Sequence, residues 1–167
     1  NGFRLTPELL EAAITPHTRW LLLNLPSNQS GTSYDAQQLS ELGDVVRRHP
    51  HVLVMSDEIY EHITFDSKKH VSFLLANSDL SSQVLIVNGV SKAYAMTGWR
   101  IGYGAGPVPL IKGMTKVQSQ ISSGACSVAQ AAATAALNGP QNSVALFKSA
   151  FEEGVIWLSN VSKGSMA

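Results

Sequence analysis

Gly89-Val90-Ser91-Lys92-Ala93-Tyr94-Ala95-Met96-Thr97-Gly98-Trp99-Arg100-Ile101-Gly102 decides how this chain is read. An apolar strand at 84–87 delivers the backbone to a Gly-Val-Ser turn, and a single lysine follows among small and apolar residues. A lysine so placed is expected to lose hydration, so that its pKa falls and its amine becomes free to condense with a carbonyl. Arg100, eight positions on, offers a permanently charged planar fork suited to a phosphate. A solvated lysine and a surface arginine are the competing, purely structural assignment.

A ligand carrying both a carbonyl and a phosphate is described by pyridoxal 5'-phosphate. The run 89–102 also resembles the cofactor attachment site of the class I aminotransferases. Two further segments resemble the same family in the same order. Asn24-Leu25-Pro26-Ser27-Asn28-Gln29-Ser30-Gly31 is similar to its Asn-x-Pro-x-Asn-Pro-Thr-Gly turn, and Ser56-Asp57-Glu58-Ile59-Tyr60-Glu61 to its Asp-Glu-x-Tyr segment. The three cover roughly residues 1–140, and Ala95 to Tyr103 resembles the prokaryotic-type aspartate and aromatic branch most.

The resemblance implies a fold type I α/β domain, a mostly parallel sheet flanked by helices, forming part of a large cofactor domain. Family members are two to three times longer, so the chain looks like an internal piece. Residues 1–140 are expected to be a partial cofactor domain, 141–161 a helix leading toward an absent small domain, and 162–167 an unpatterned tail.

Periodicity gives a parallel sheet without help from the family. Thr6-Pro7-Glu8 reads as cap, first helical position and dipole-matched acid. The continuous apolar runs 20–23, 52–55 and 84–87 read as strands buried on both faces. Between the first two, Asp35 caps a helix with Leu39, Leu42, Val45 and Val46 on one stripe. Alternating strands and helices imply parallel pairing, and Asn28, Asp57 and Lys92 each fall at the strands' C-terminal edge, where open α/β sheets bind ligands. Residues 100–103 are expected to form a fourth strand, antiparallel by resemblance. Helices are expected at 107–122, at the alanine-rich 127–137, and at 147–158.

The resemblance assigns the candidate site residue by residue. Lys92 holds the cofactor covalently and then moves a proton at the substrate α-carbon. Asp57 faces the pyridine nitrogen, Tyr60 and Asn28 donate to the ring oxygen, and Arg100 clamps the phosphate. Tyr60, three residues after Asp57, is expected on the same side of one helical turn. A cap, a core tyrosine and a turn asparagine are the structural alternatives for Asp57, Tyr60 and Asn28. Two departures from the family stand out. Gly89 occupies the place of a usual hydroxyl, for which Ser91 is the candidate substitute, and Gln29-Ser30 replaces Pro-Thr, which is expected to loosen the Asn28 turn.

Composition narrows the classes. Twelve basic against 12 acidic residues provide no global charge for nucleic acid or an anionic membrane. One cysteine, Cys126, excludes an internal disulfide, and the five histidines show no paired metal spacing. No apolar run approaches the roughly 20 residues of a membrane span. The expected function is transfer of an amino group from an L-amino acid, aspartate or aromatic, to a 2-oxo acid by a cytoplasmic homodimer. The alternatives are a β-lyase or decarboxylase on the same fold, or an aminotransferase-like sensor domain of a transcription regulator. The isolated piece is expected to be inactive.

Overall fold

The computed structural model describes residues 2–65 and 69–162. Helix α1, Pro7–Ala13, starts on the Thr6 side chain, which accepts from Leu9 N–H, and presents Leu10 to the interior. Strand β1, Trp20–Asn24, follows, and then helix α2, Ala36–Arg48. Asp35 and Gln38 close a reciprocal capping box at the start of α2. Strand β2, Leu53–Asp57, leads through the short α3, Phe73–Ala76, and a 3-10 turn to β3, Val84–Gly89. Strand β4, Gly102–Ala105, then precedes α4, Val108–Ile121, α5, Ser127–Asn138, and α6, Asn142–Ser162.

The sheet order is β1-β2-β3-β4, parallel except for β4, which returns antiparallel to β3. The expected α/β class and the antiparallel fourth strand are therefore observed. Strand alternation puts Leu21, Leu23, Val54, Ser56, Val84 and Ile86 on one face. Leu39, Leu42, Val45 and Val46 of α2 pack onto that face with Phe73 and Leu10, forming the main core. Burying one fully enclosed aliphatic side chain contributes about 2 kcal/mol, so the α2 stripe is a principal support of the sheet.

The opposite face departs from the expectation of two-sided burial. Leu22 stands 66 % exposed, and Trp20, Met55 and Asp57 are only partly covered. The reason is layering: α2 and α3 pack on the first face, and β1 has no described helix across its other side. A second, smaller cluster joins Val90 and Ile101 to Ala129 and Ala133 of α5, where alanines permit close approach.

Three boundaries also differ. The 58–63 segment is a pair of turns closed by Glu61 N–H to Glu58 O and Ile63 N–H to Tyr60 O, not a helix. Arg100 precedes β4 in a left-handed conformation at φ 56° rather than opening it. Helix α6 begins at Asn142, earlier than the apolar pattern suggested, and runs on through Ser162; the remaining tail positions, 163–167, lie outside the described residues.

Candidate active site

The site is built where the parallel strands end. Asn24 closes β1, and its side chain works in two directions. Its Oδ1 accepts the Asn28 N–H at 2.9 Å, and its Nδ2 donates to Asp57 O at 3.4 Å. Leu25 N–H also donates to Asp57 O, so the 25–31 turn is tied to the end of β2. Ser27 N–H to Thr32 O and Gly31 N–H to Ser27 O close the turn, with Gly31 at φ 68°. The loosening expected from Gln29 is offset by these bonds and by Ser30 Oγ to Thr32 Oγ1 at 2.8 Å.

Lys92 sits three residues past β3. Its Nζ lies 5.6 Å from the Tyr60 ring centroid, a cation–π approach. Lys92, Tyr60, Asn28 and Ser91 line one cavity of about 700 Å³, within the range of small-molecule sites. Four of the six sequence-assigned residues thus share one space. Arg100 does not line it; its exposed side chain borders a neighbouring cavity with Trp99, Gln118 and Cys126, and the two cavities share Ala95. Arg100 Nη1 donates to Thr97 O, and Thr97 Oγ1 to Ser91 O, which links the two spaces through one loop.

Asp57 lines neither cavity and points from the open sheet face beside Asn24. Its Oδ1 accepts Ile59 N–H at 3.2 Å, so one oxygen closes the turn that follows β2, and among the described residues the other has no hydrogen-bond partner. Gly89 has a steric reason. A Cβ there would stand 2.9 Å from Ile101 O, because β4 crosses close to β3 at the Gly89–Gly102 pair. No side chain, hydroxyl or otherwise, fits at that position.

Sequence reasoning missed a buried carboxylate. Glu58, 3 % exposed, accepts on Oε1 from Ser56 Oγ, Ser72 Oγ and Phe73 N–H, and its Oε2 lies 3.1 Å from His70 Nε2. Burial pushes this carboxyl up, but the hydrogen bonds from His70, Ser56 and Ser72 outweigh it and hold it below its ordinary value. The only local signal was a Glu following a strand, which is equally a surface residue. Nearby, Asn88 Nδ2 donates to Glu61 Oε1 at 2.6 Å. In the second cavity, the Cys126 thiol is pulled down by the Ala129 and Val128 N–H groups at the start of α5.

A cavity at the carboxyl edge of a mostly parallel sheet, with a half-buried lysine on its wall, defines a ligand-binding α/β domain. The family model for aminotransferase class I and II matches residues 1–154, and the chain belongs to that family. It is 54 % identical over 145 residues to a probable aspartate/prephenate aminotransferase of Rickettsia bellii, covering 87 % of this chain and 36 % of the relative. The crystal structure of the aspartate aminotransferase of Rhizobium meliloti superposes at a TM-score of 0.88 with 53 % identity, over 91 % of this chain and 38 % of that one. The aromatic aminotransferase of Pyrococcus horikoshii does so at 0.88 with 32 % identity, over 98 % and 44 %. The chain therefore spans well under half the length of these relatives.

The cofactor of this family is pyridoxal 5'-phosphate. The described residues fit it: an amine for its carbonyl, and hydroxyl and amide donors for its ring oxygen, converge on one cavity of adequate volume.

Proposed function

We propose that the intact protein is a pyridoxal-phosphate-dependent aminotransferase. It moves an amino group from an L-amino acid, aspartate or aromatic, to a 2-oxo acid, as a cytoplasmic homodimer. The observation that carries this is Lys92 over the Tyr60 ring, inside the cavity that Asn28 and Ser91 also line. The substrate class is supported by the names of the relatives, which are aspartate, aspartate/prephenate and aromatic aminotransferases. A β-lyase, a decarboxylase or a sensor domain finds no such support. The exposed Ile121 and Val128, in the 118–130 stretch, support a partner subunit at the second cavity. Among the described residues no helix is long and apolar enough to cross a membrane.

Bound pyridoxal 5'-phosphate supplies an electron sink for the pair left on the substrate α-carbon. Lys92 would anchor it through its amine and would serve as the base that takes the proton from the substrate α-carbon. Tyr60 and Asn28, on the cavity wall, would donate hydrogen bonds to the ring oxygen. Asp57, with one oxygen on Ile59 N–H, would keep a proton on the ring nitrogen. Arg100, whose Nη1 now donates to the Thr97 carbonyl at the neighbouring cavity, would hold the phosphate.

Borohydride reduction of the loaded full-length protein, followed by peptide mapping, tests the assignment. A pyridoxyl label on Lys92 is expected; a label on Lys112 or Lys116 with none on Lys92 overturns it.

A further inference from the structure

We propose that Asn24 is a positioning residue: its side-chain amide ties Asn28 to the end of β2 and so sets where the Asn28 side chain meets the ring oxygen of the cofactor. The inference rests on the aminotransferase reading above and adds to it the residue that aims one of its donors.

The need arises in the turn itself. Asn28 is exposed, as are Gln29 and Ser30 after it. The backbone bonds that close this turn, Ser27 N–H to Thr32 O and Gly31 N–H to Ser27 O, pass around Asn28 and leave it out. Among the described residues its one hydrogen bond runs from its N–H to Asn24 Oδ1, at 2.9 Å. The side chain that must donate to the ligand therefore hangs from a peptide unit held by a single neighbour.

Asn24 is itself well supported. It ends β1 as the ladder partner of Asp57, and strand alternation sends both side chains to the open sheet face. Its Oδ1 meets an N–H and its Nδ2 a carbonyl, Asp57 O at 3.4 Å, so the amide has one consistent orientation. Leu25 N–H donates to the same carbonyl at 2.9 Å, which fixes the backbone on which the amide is mounted. An aspartate at this position would set an acceptor against Asp57 O, a leucine would offer neither group, and a glutamine would carry its amide one carbon too far.

The bridge also bears on the ring as a whole. Asp57, assigned to the ring nitrogen, and Asn28, assigned to the ring oxygen, are both tied to this one amide, which spaces them against each other. A donor held in place before the ligand arrives binds without an ordering cost, and a displacement of about 1 Å forfeits much of its effect.

Spectrophotometric pH titration of the cofactor bound to the full-length protein tests the proposal. Asn24→Ala is expected to raise the midpoint by about half a unit, because the Asn28 hydrogen bond favours the deprotonated form and is weakened without being deleted. The same substitution in an Asn28→Ala background should add nothing, since the residue through which Asn24 acts is already gone. An equal shift in both backgrounds, or a shift in neither, overturns the proposal. A second measurement needs neither variant nor cofactor. In the cofactor-free full-length protein, hydrogen exchange read at single residues should be about tenfold slower or more at Asn28 than at Gln29, whose N–H has no partner among the described residues. Equal exchange overturns the proposal even where Asn24→Ala does not fold. If wild-type protein carries no reduced label on Lys92, the aminotransferase reading itself has failed, and the exchange experiment still decides whether Asn24 holds Asn28.

Discussion

Lys92 and Tyr60, 32 positions apart, meet with the Lys92 amine 5.6 Å from the centre of the Tyr60 ring. The contact brings the loop after β3 to the turn after β2, and it joins the two motifs whose separate resemblance first suggested a common site. The ring face holds the amine, while among the described residues no partner takes up the hydroxyl, which can serve a ligand. The two halves of Tyr60 can therefore be separated by substitution.

Tyr60→Phe keeps the ring and deletes the donor. The fold and the labelling of Lys92 should be retained. The pH at which the bound cofactor changes absorbance should rise by about one unit, because the deprotonated linkage loses a hydrogen bond worth about 1.4 kcal/mol. A spectrophotometric titration reads this directly, and an unmoved midpoint would assign Tyr60 to packing alone.

Asp57→Ala should leave the protein folded and able to bind cofactor, with kcat lower by about a hundredfold, the usual loss for one oriented electrostatic group. The released Ile59 N–H lies in a part-buried turn, within reach of solvent. Steady-state kinetics beside circular dichroism would check this; unchanged kcat would reduce Asp57 to a turn cap.

Glu58→Gln should destabilise the intact protein by about 2 kcal/mol at pH 7, since an amide must aim its own N–H at groups that already donate. The folded pKa of Glu58 lies below its ordinary 4.5. Its contribution is therefore present above pH 4.5 and is lost as pH falls through the folded value. Urea unfolding of both proteins should show the wild-type advantage shrinking below pH 4.5. An advantage independent of pH would contradict the ionised assignment.

Gly89→Ser places a hydroxyl where the family usually has one, and it should fail as a repair. Its Cβ would press on backbone, Ile101 O at 2.9 Å, and the cost should be about 1–3 kcal/mol with no gain in cofactor affinity. Thermal melts and cofactor titration together decide the point.

The chain on its own should show no transamination above the free-cofactor background, and it should self-associate. Leu22, Phe151 and Trp157 are more than half exposed, and the outer edges of β1 and β4 have no described partner strand. Light scattering and a coupled assay on purified chain would test both halves.

The sequence was most informative where the physics is local. Thr6, Asp35 and the Leu39–Leu42–Val45–Val46 stripe specify helix starts and a buried face within a few residues, and all of them appear in the structure. The three parallel strands were legible because apolar runs ending in polar turns have few other readings. Two-sided burial of β1 was not, because an apolar run does not say whether a second layer covers it; Leu22 remains open. The 58–63 segment looked helical on a three-residue spacing that a pair of turns also satisfies. Asn24 and Glu58 stand inside the quoted motifs but were given no role for one shared reason: besides the nearby Asn28 and Ser56, their partners lie 33 residues and 12 to 15 residues away. Local pattern carries no record of such meetings. Asn28, Tyr60, Ser91 and Lys92 were found together because motif resemblance supplied the long-range information that periodicity lacks.

The close crossing of β3 and β4 at Gly89 and Gly102 bears on how Lys92 can move. Those two glycines pinch the base of a loop whose Val90, Ala93 and Ile101 are sunk into the protein. Its backbone is clamped at both ends and pinned along its length, so it cannot swing as a lid does. Any stroke needed to carry a proton from one carbon to another falls to the four methylenes of a single side chain. The pinch makes a fixed mount, and the lysine is the jointed arm upon it.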